Sequence, residues 1–176
     1  MSSTMKLYKK LISTLIIIAF ISGCAGTRHT LISPDINLKE YKKAFIIANE
    51  HSKFQTANII LFPGGATAVP GKIKEVNTKG NIPSAIQREL AKYEIISIIG
   101  KTSDNIPDDI DIIVKYEDLW DWDFKYYIST LTLKLIDKKT GKEMAQGNFK
   151  SAIAHNFPDV DEEIAVMIKD IFKIDK

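Results

Sequence analysis

The densest chemistry in the chain lies in Tyr116-Glu117-Asp118-Leu119-Trp120-Asp121-Trp122-Asp123-Phe124, which holds both tryptophans and four carboxylates. Two carboxyl groups about 5 to 9 Å apart can act as the acid and base of a hydrolytic step. Residues i and i+2 of a strand lie about 6.5 to 7 Å apart, so Asp121 and Asp123 meet that spacing. Any polar strand face meets it as well, and a solvated face over packed aromatics is the plainer expectation. If the strand is unbroken, Ile112, Val114, Tyr116, Trp120, Trp122 and Phe124 point one way, and Lys115, Glu117, Asp121 and Asp123 the other. Asp118 then falls on the apolar side, which predicts a bulge or turn nearby that resets the register. Trp120, Asp121, Trp122 and Asp123 are therefore candidates for a partner surface, because tryptophan supplies large contact area at low entropic cost. A calcium loop fits poorly, since tryptophan occupies positions between the acids where such a loop needs glycine and alternating oxygen ligands.

Other reactive types are scattered. His29, His51 and His155 are isolated from one another and from any cysteine partner, so no metal site is expected. No serine lies in a Gly-x-Ser-x-Gly elbow, so no catalytic residue and no enzymatic role are expected. The Gly- and Pro-rich stretch Pro63–Lys72 looks at first like a phosphate loop. Five residues separate Gly65 from Gly71, Ile73 follows Lys72 where a hydroxyl is needed, and Pro70 removes a backbone donor. It reads instead as an exposed hairpin or flap, and no cofactor is expected. A pocket under residues 63–72 would make the alternative function a periplasmic small-ligand carrier or a hydrolase.

The lone cysteine, Cys24, has a context of its own. Lys6, Lys9 and Lys10 precede an apolar run from Leu11 to Ser22, twelve residues long and so too short to span a bilayer as a helix. Ile21-Ser22-Gly23-Cys24 resembles the lipobox of bacterial lipoproteins. That resemblance implies cleavage between Gly23 and Cys24, a thioether-linked diacylglycerol on Cys24, and an acylated amino terminus. Membrane lipid is then one partner through Cys24. Ala25 rather than aspartate follows, which by analogy with lipoprotein sorting implies the outer membrane, facing the periplasm. The leader takes three of 24 basic residues with it, leaving 21 against 22 acidic. A body this close to neutral does not suit a nucleic-acid partner.

Residues 24–40 are polar around Pro34 and Asp35 and read as a lipidated terminus and tether, with one folded domain over 41–176. A first strand is expected at Lys43–Asn49, and Asn58–Phe62 is expected to pair with it. A helix follows over Pro83–Tyr93 with Asn81 as cap, then strands at Glu94–Ile99 and from Ile110 or Asp111 to at least Glu117. Leu131, Leu133 and Leu135 alternate with polar residues, turn at Asp137–Gly141, and return through Ala145, Gly147 and Phe149 as a hairpin. The small Ala145 and Gly147 predict a helix lying close above that strand. The last helix starts after Pro158, with Asp159 or Asp161 as cap and Ile164, Met167, Ile168, Ile171 and Phe172 as its apolar stripe.

The helix end Ala91-Lys92-Tyr93, the strand Asp109–Tyr116 and the hairpin Leu133–Gly141 together resemble a family of small bacterial envelope lipoproteins of unknown function, over residues 82 to 173. The family commonly places tryptophan two residues before a glycine after that turn, where this chain has Ala145 before Gly147. The resemblance implies fold and location and no catalytic residues. The expected fold class is α+β: a single domain with a mostly antiparallel sheet of five to six strands and two helices packed on one face. The expected function is a membrane-anchored binding or scaffolding accessory module at the cell envelope, with an envelope protein as partner.

Overall fold

The structure is a computed structural model, and it describes residues 26–63, 65–77, 81–123, 125–152 and 157–173. Their elements are β1 (Thr27–Ile32), β2 (Lys43–Ala48), β3 (His51–Phe62), β4 (Gly65–Asn77), α1 (Ile82–Ala91), β5 (Ile96–Lys101), β6 (Ile112–Asp123), β7 (Lys125–Asp137), β8 (Glu143–Lys150) and α2 (Val160–Lys173). One sheet holds all eight strands, in the order β1-β8-β7-β6-β2-β5, with β3 joining β6 farther along and β4 joining β3. Both helices lie on one face and touch each other, α1 over β2 and β5, α2 over β1, β7 and β8.

The sheet differs from expectation in size and in kind. It is mixed, because β2 runs parallel to both β5 and β6, and β3 runs parallel to β6. Ala44, Phe45 and Ile46 of β2 are all buried, as expected for an inner parallel strand with both faces covered. The run Asn58–Phe62 does not pair with β2: it is the outer half of β3 and pairs with β4. Residues 63–72 are not a flap, because Gly65–Asn77 is a strand; the reading as an exposed hairpin is the one that matches. Pro70 is accommodated because β4 is an edge strand beside the irregularity at Gln55/Ala57.

The stretch expected as tether carries structure from Thr27 onward. β1 pairs antiparallel with β8 along its whole length, and a 3-10 turn at Leu38–Glu40 drives Leu38 into the core. Its polar sequence, Thr-Arg-His-Thr-Leu-Ile, suits an edge strand that faces water on one side.

Local chemistry explains the rest. Pro83 sits in the first turn of α1, where its missing N–H costs nothing, and Asn81 precedes the helix without a side-chain cap bond. Asp159 Oδ1 accepts from the Asp161 N–H (2.8 Å) and starts α2. Between β7 and β8, Gly141 takes φ +70° and Asp137 Oδ1 accepts from the Thr140 N–H (2.7 Å). The core is one cluster of buried side chains from both helices and the inner sheet face, among them Ile46, Ile86, Leu90, Val114, Leu133, Met167 and Ile168.

Candidate functional site

The acid- and tryptophan-rich segment is the distal half of β6. Along it Ile112, Val114, Tyr116 and Asp118 are buried on the helix side, whereas Lys115 and Glu117 are exposed. Asp118 is only 3 % exposed, and its Oδ2 accepts a hydrogen bond from Trp120 Nε1 at 2.7 Å. The two residues share one face because they are two apart on a strand, which lets the indole satisfy a carboxylate in the apolar layer. A bulge does occur here, but β6 keeps its alternation. The pairs Leu119↔Thr130 and Trp120↔Ile128 leave Ser129 as the extra residue on β7, and its hydroxyl donates to the Leu119 carbonyl (3.0 Å).

Past the bulge the sheet outruns its helices. Trp120 is half-buried against the core, while Trp122 and Tyr126, paired across the hairpin, are 52 % and 67 % exposed. Phe54 of β3 packs edge-on against Tyr126, ring centroids 5.3 Å apart at 71°. The result is an aromatic surface of Phe54, Trp122 and Tyr126 over Trp120, assembled from three strands. Asp121 lies on the opposite face and its Oδ1 accepts from the Trp122 N–H (2.8 Å). Asp123 ends β6 opposite Lys125, and its side chain lies outside the described residues. The structure therefore brings Trp120 and Trp122 to one face and sends Asp121 to the other. Phe54 and Tyr126 were missed in the sequence because they belong to other strands; only pairing reveals them.

A second feature lies where the sheet exchanges β2 for β3 as the neighbour of β6. β2 pairs with β6 as far as Val114 and β3 begins to pair at Leu119, so Lys115–Asp118 lack a strand on that side. Asn49 fills part of the gap: its Nδ2 donates to the Tyr116 carbonyl (2.9 Å) and its N–H to Tyr116 Oη (3.1 Å). Burial pushes the Tyr116 phenol above its ordinary range. A cleft of about 620 Å³ opens here, lined among others by Glu50, His51, Lys53, Glu75, Glu117 and Asp118. Lys53 and Glu117 approach to 3.8 Å across it. Ser52 Oγ is buried nearby without a hydrogen-bond partner among the described residues. Among the described residues none of 63–72 lines this cleft, and of β4 Glu75 reaches it.

Gly23 and Cys24 lie outside the described residues, as does His155. Among the described residues no three His, Cys, Asp or Glu side chains group as metal ligands, and no helix is long and apolar enough to cross a membrane. The direction in which the chain enters the fold is nonetheless fixed. Thr27 is level with Lys150, Thr130, Leu119 and Lys53 across the sheet, and Gly26 precedes it toward the end that carries Trp122 and Tyr126.

No protein-family model matches the chain, and no curated protein sequence matches it. Among solved structures it is similar to a DUF4136 family protein from Bacteroides thetaiotaomicron, at 8 % identity and a TM-score of 0.50, over 85 % of this chain and 95 % of that one. It is also similar to the PelC dodecamer protein from Paraburkholderia phytofirmans, at 13 % identity and a TM-score of 0.45, over 83 % of this chain and 94 % of that one. The likeness to the Bacteroides protein is one of fold.

Proposed function

We propose that this chain is a lipid-anchored accessory module of the bacterial envelope, held at the membrane through acylated Cys24 and binding an envelope protein rather than turning over a substrate. The outer membrane, on its periplasmic side, is the location this reading takes from the residues after Cys24. One observation carries the binding role: Trp122, Tyr126 and Phe54 form an aromatic surface beyond the reach of both helices, with Trp122 and Tyr126 more than half exposed. Aromatic side chains of this kind are the anchors that dominate protein interfaces. The surface also lies at the end of the sheet from which the chain leads back to Cys24, which suits a partner that is itself in or on the membrane.

The test is crosslinking in intact cells with mass-spectrometric identification, comparing wild type with the double variant Trp122→Ala plus Tyr126→Ala. One dominant envelope protein, captured by the wild type and lost in the variant, is the expected result. An unchanged adduct pattern in a folded variant overturns the assignment of this surface.

A further inference from the structure

The β3–β4 hairpin continues past every other strand, and its composition changes as it does so. From Phe54 to Gly71 there are 18 consecutive residues without a charge, bounded by Lys53 on one strand and Lys72 on the other. The run includes Ile59-Ile60-Leu61-Phe62-Pro63 at the tip. Ile60 and Leu61 are 49 % and 78 % exposed, a poor arrangement for a ribbon projecting into water.

Register places this ribbon relative to the anchor. In register Lys53 answers to Thr27, so the ribbon and the chain leading back to Cys24 leave the sheet at the same end, and Cys24 stands three residues, at most about 10 Å, before Thr27. Three residues past Lys53 on the ribbon is Thr56, whose hydroxyl donates to the Lys72 carbonyl (3.0 Å). Phe62 lies six residues beyond Thr56, about 20 Å at the rise of a strand. A chain acylated at Cys24 has only a three-residue tether before β1, which holds this end of the sheet close to the bilayer and brings the outer hairpin within its reach. The hairpin's charge changes along it: Lys72 and Lys74 are exposed and suited to headgroups, and within the hairpin only uncharged residues continue past them.

We infer that the outer β3–β4 hairpin, centred on Ile60 and Leu61, seats in the interfacial layer of the lipid bilayer that holds Cys24. This rests on the acylation of Cys24. The ribbon lies shallow, because its open edges carry backbone groups that need water or headgroups and are not tolerated in hydrocarbon. Insertion to the boundary of headgroups and acyl chains, about 5 to 10 Å, buries the tip while leaving the edges hydrated. Trp122 and Tyr126 then stand at the membrane surface, where amphipathic rings are favoured.

The experiment uses the full lipidated chain, purified and reconstituted into phosphatidylethanolamine–phosphatidylglycerol vesicles. Acylation turns the Cys24 thiol into a thioether, so a cysteine introduced by Leu61→Cys is the sole thiol and accepts a nitrobenzoxadiazole label. Thr67→Cys, across the hairpin from Ile60, is a second probe, and Lys139→Cys, in the turn at the far end of the sheet, is the control. Blue-shifted emission at 61 and 67 that acyl-brominated lipids quench, with the control unaffected, is the expected result. Probes at 61 and 67 that match the control while the protein stays on the vesicles overturn the inference and leave the anchor intact. A blue shift that bromolipids do not quench, with self-quenching between labels, assigns the tip to a second copy of the chain and also overturns it. A wild-type chain that takes the label at Cys24, or whose N-terminal peptide lacks the diacylglyceryl mass, overturns the anchor and the inference with it.

Discussion

Arg28 and Glu163, 135 positions apart, form a two-pronged ion pair between β1 and α2, with Nε to Oε2 at 2.7 Å and Nη2 to Oε1 at 2.8 Å. The guanidinium also lies over the Phe149 ring, 5.7 Å from its centroid. This pair fastens the first strand, and with it the route to Cys24, to the helical layer.

Arg28→Ala strips the partner from a carboxylate that is 7 % exposed. Arg28 itself is one-third exposed, so the loss is expected at about 1 to 3 kcal/mol, below that of a fully buried pair. Arg28→Lys recovers only part of it, because an ammonium cannot make the parallel fork. Urea unfolding of the two variants and of Glu163→Gln, closed as a double-mutant cycle, measures the coupling.

Gly147 on β8 passes directly beneath Met167 on α2: a Cβ at 147 would sit 3.0 Å from Met167 Cε and 3.4 Å from its Cβ. The methionine tip can swing aside for Gly147→Ala, but Gly147→Val pushes on the helix itself. Val is expected to cost roughly 1 to 3 kcal/mol, partly recovered by Met167→Ala. Thermal unfolding of the single and double variants checks the pairing.

That contact shows what the sequence could disclose. The smallness of Ala145 and Gly147 announced the helix above them, and the stripe Ile164, Met167, Ile168, Ile171 announced the helix face, because both signals are local and periodic. β1 escaped because an edge strand with one wet face has the composition of a tether. β4 escaped because Pro70 and its glycines read as the loop of a hairpin or flap, and the partner strand is what makes them extended. The parallel pairing of β2 had a local trace, the unbroken apolar run Ala44–Ala48, but which strands flank it is decided by the crossover through α1. The aromatic surface was half visible, since Trp120 and Trp122 adjoin in sequence while Phe54 and Tyr126 arrive by pairing.

Asp118 is held by Trp120, and removing the indole donor leaves a carboxylate in the apolar layer without that bond. Trp120→Phe is expected to destabilise by about 1 to 3 kcal/mol, and Asp118→Asn in the same background to recover part of the loss, since an amide is cheaper to bury than a charge. Urea midpoints of the single and double variants decide it. Equal costs for Trp120→Phe with and without Asp118→Asn would mean the bond contributes nothing.

Tyr41 supplies a pH signature at the other end of the sheet. Its hydroxyl donates to Asp137 Oδ2 at 2.8 Å, and removal from water, followed by that bond and the carboxylate charge, pushes the phenol up to about 12. The folded chain thus holds the Tyr41 proton more tightly than the unfolded chain, whose tyrosines titrate near ~10. The stabilisation is complete below pH ~10 and is lost as pH rises toward about 12. Asp137 works in the opposite sense: the Thr140 N–H, ahead of the Tyr41 hydroxyl, holds its carboxyl below the usual range, so its contribution is present above pH ~4 and falls away in acid. Tyr41→Phe is expected to flatten the alkaline decline, with Tyr116 still contributing to what remains, and to leave most of the acid limb, because Thr140 still holds Asp137. Urea unfolding of wild type and Tyr41→Phe at pH 3, 7, 9 and 11.5 separates the two limbs. A parallel alkaline slope in both proteins would show that the Tyr41 proton is not what the fold protects.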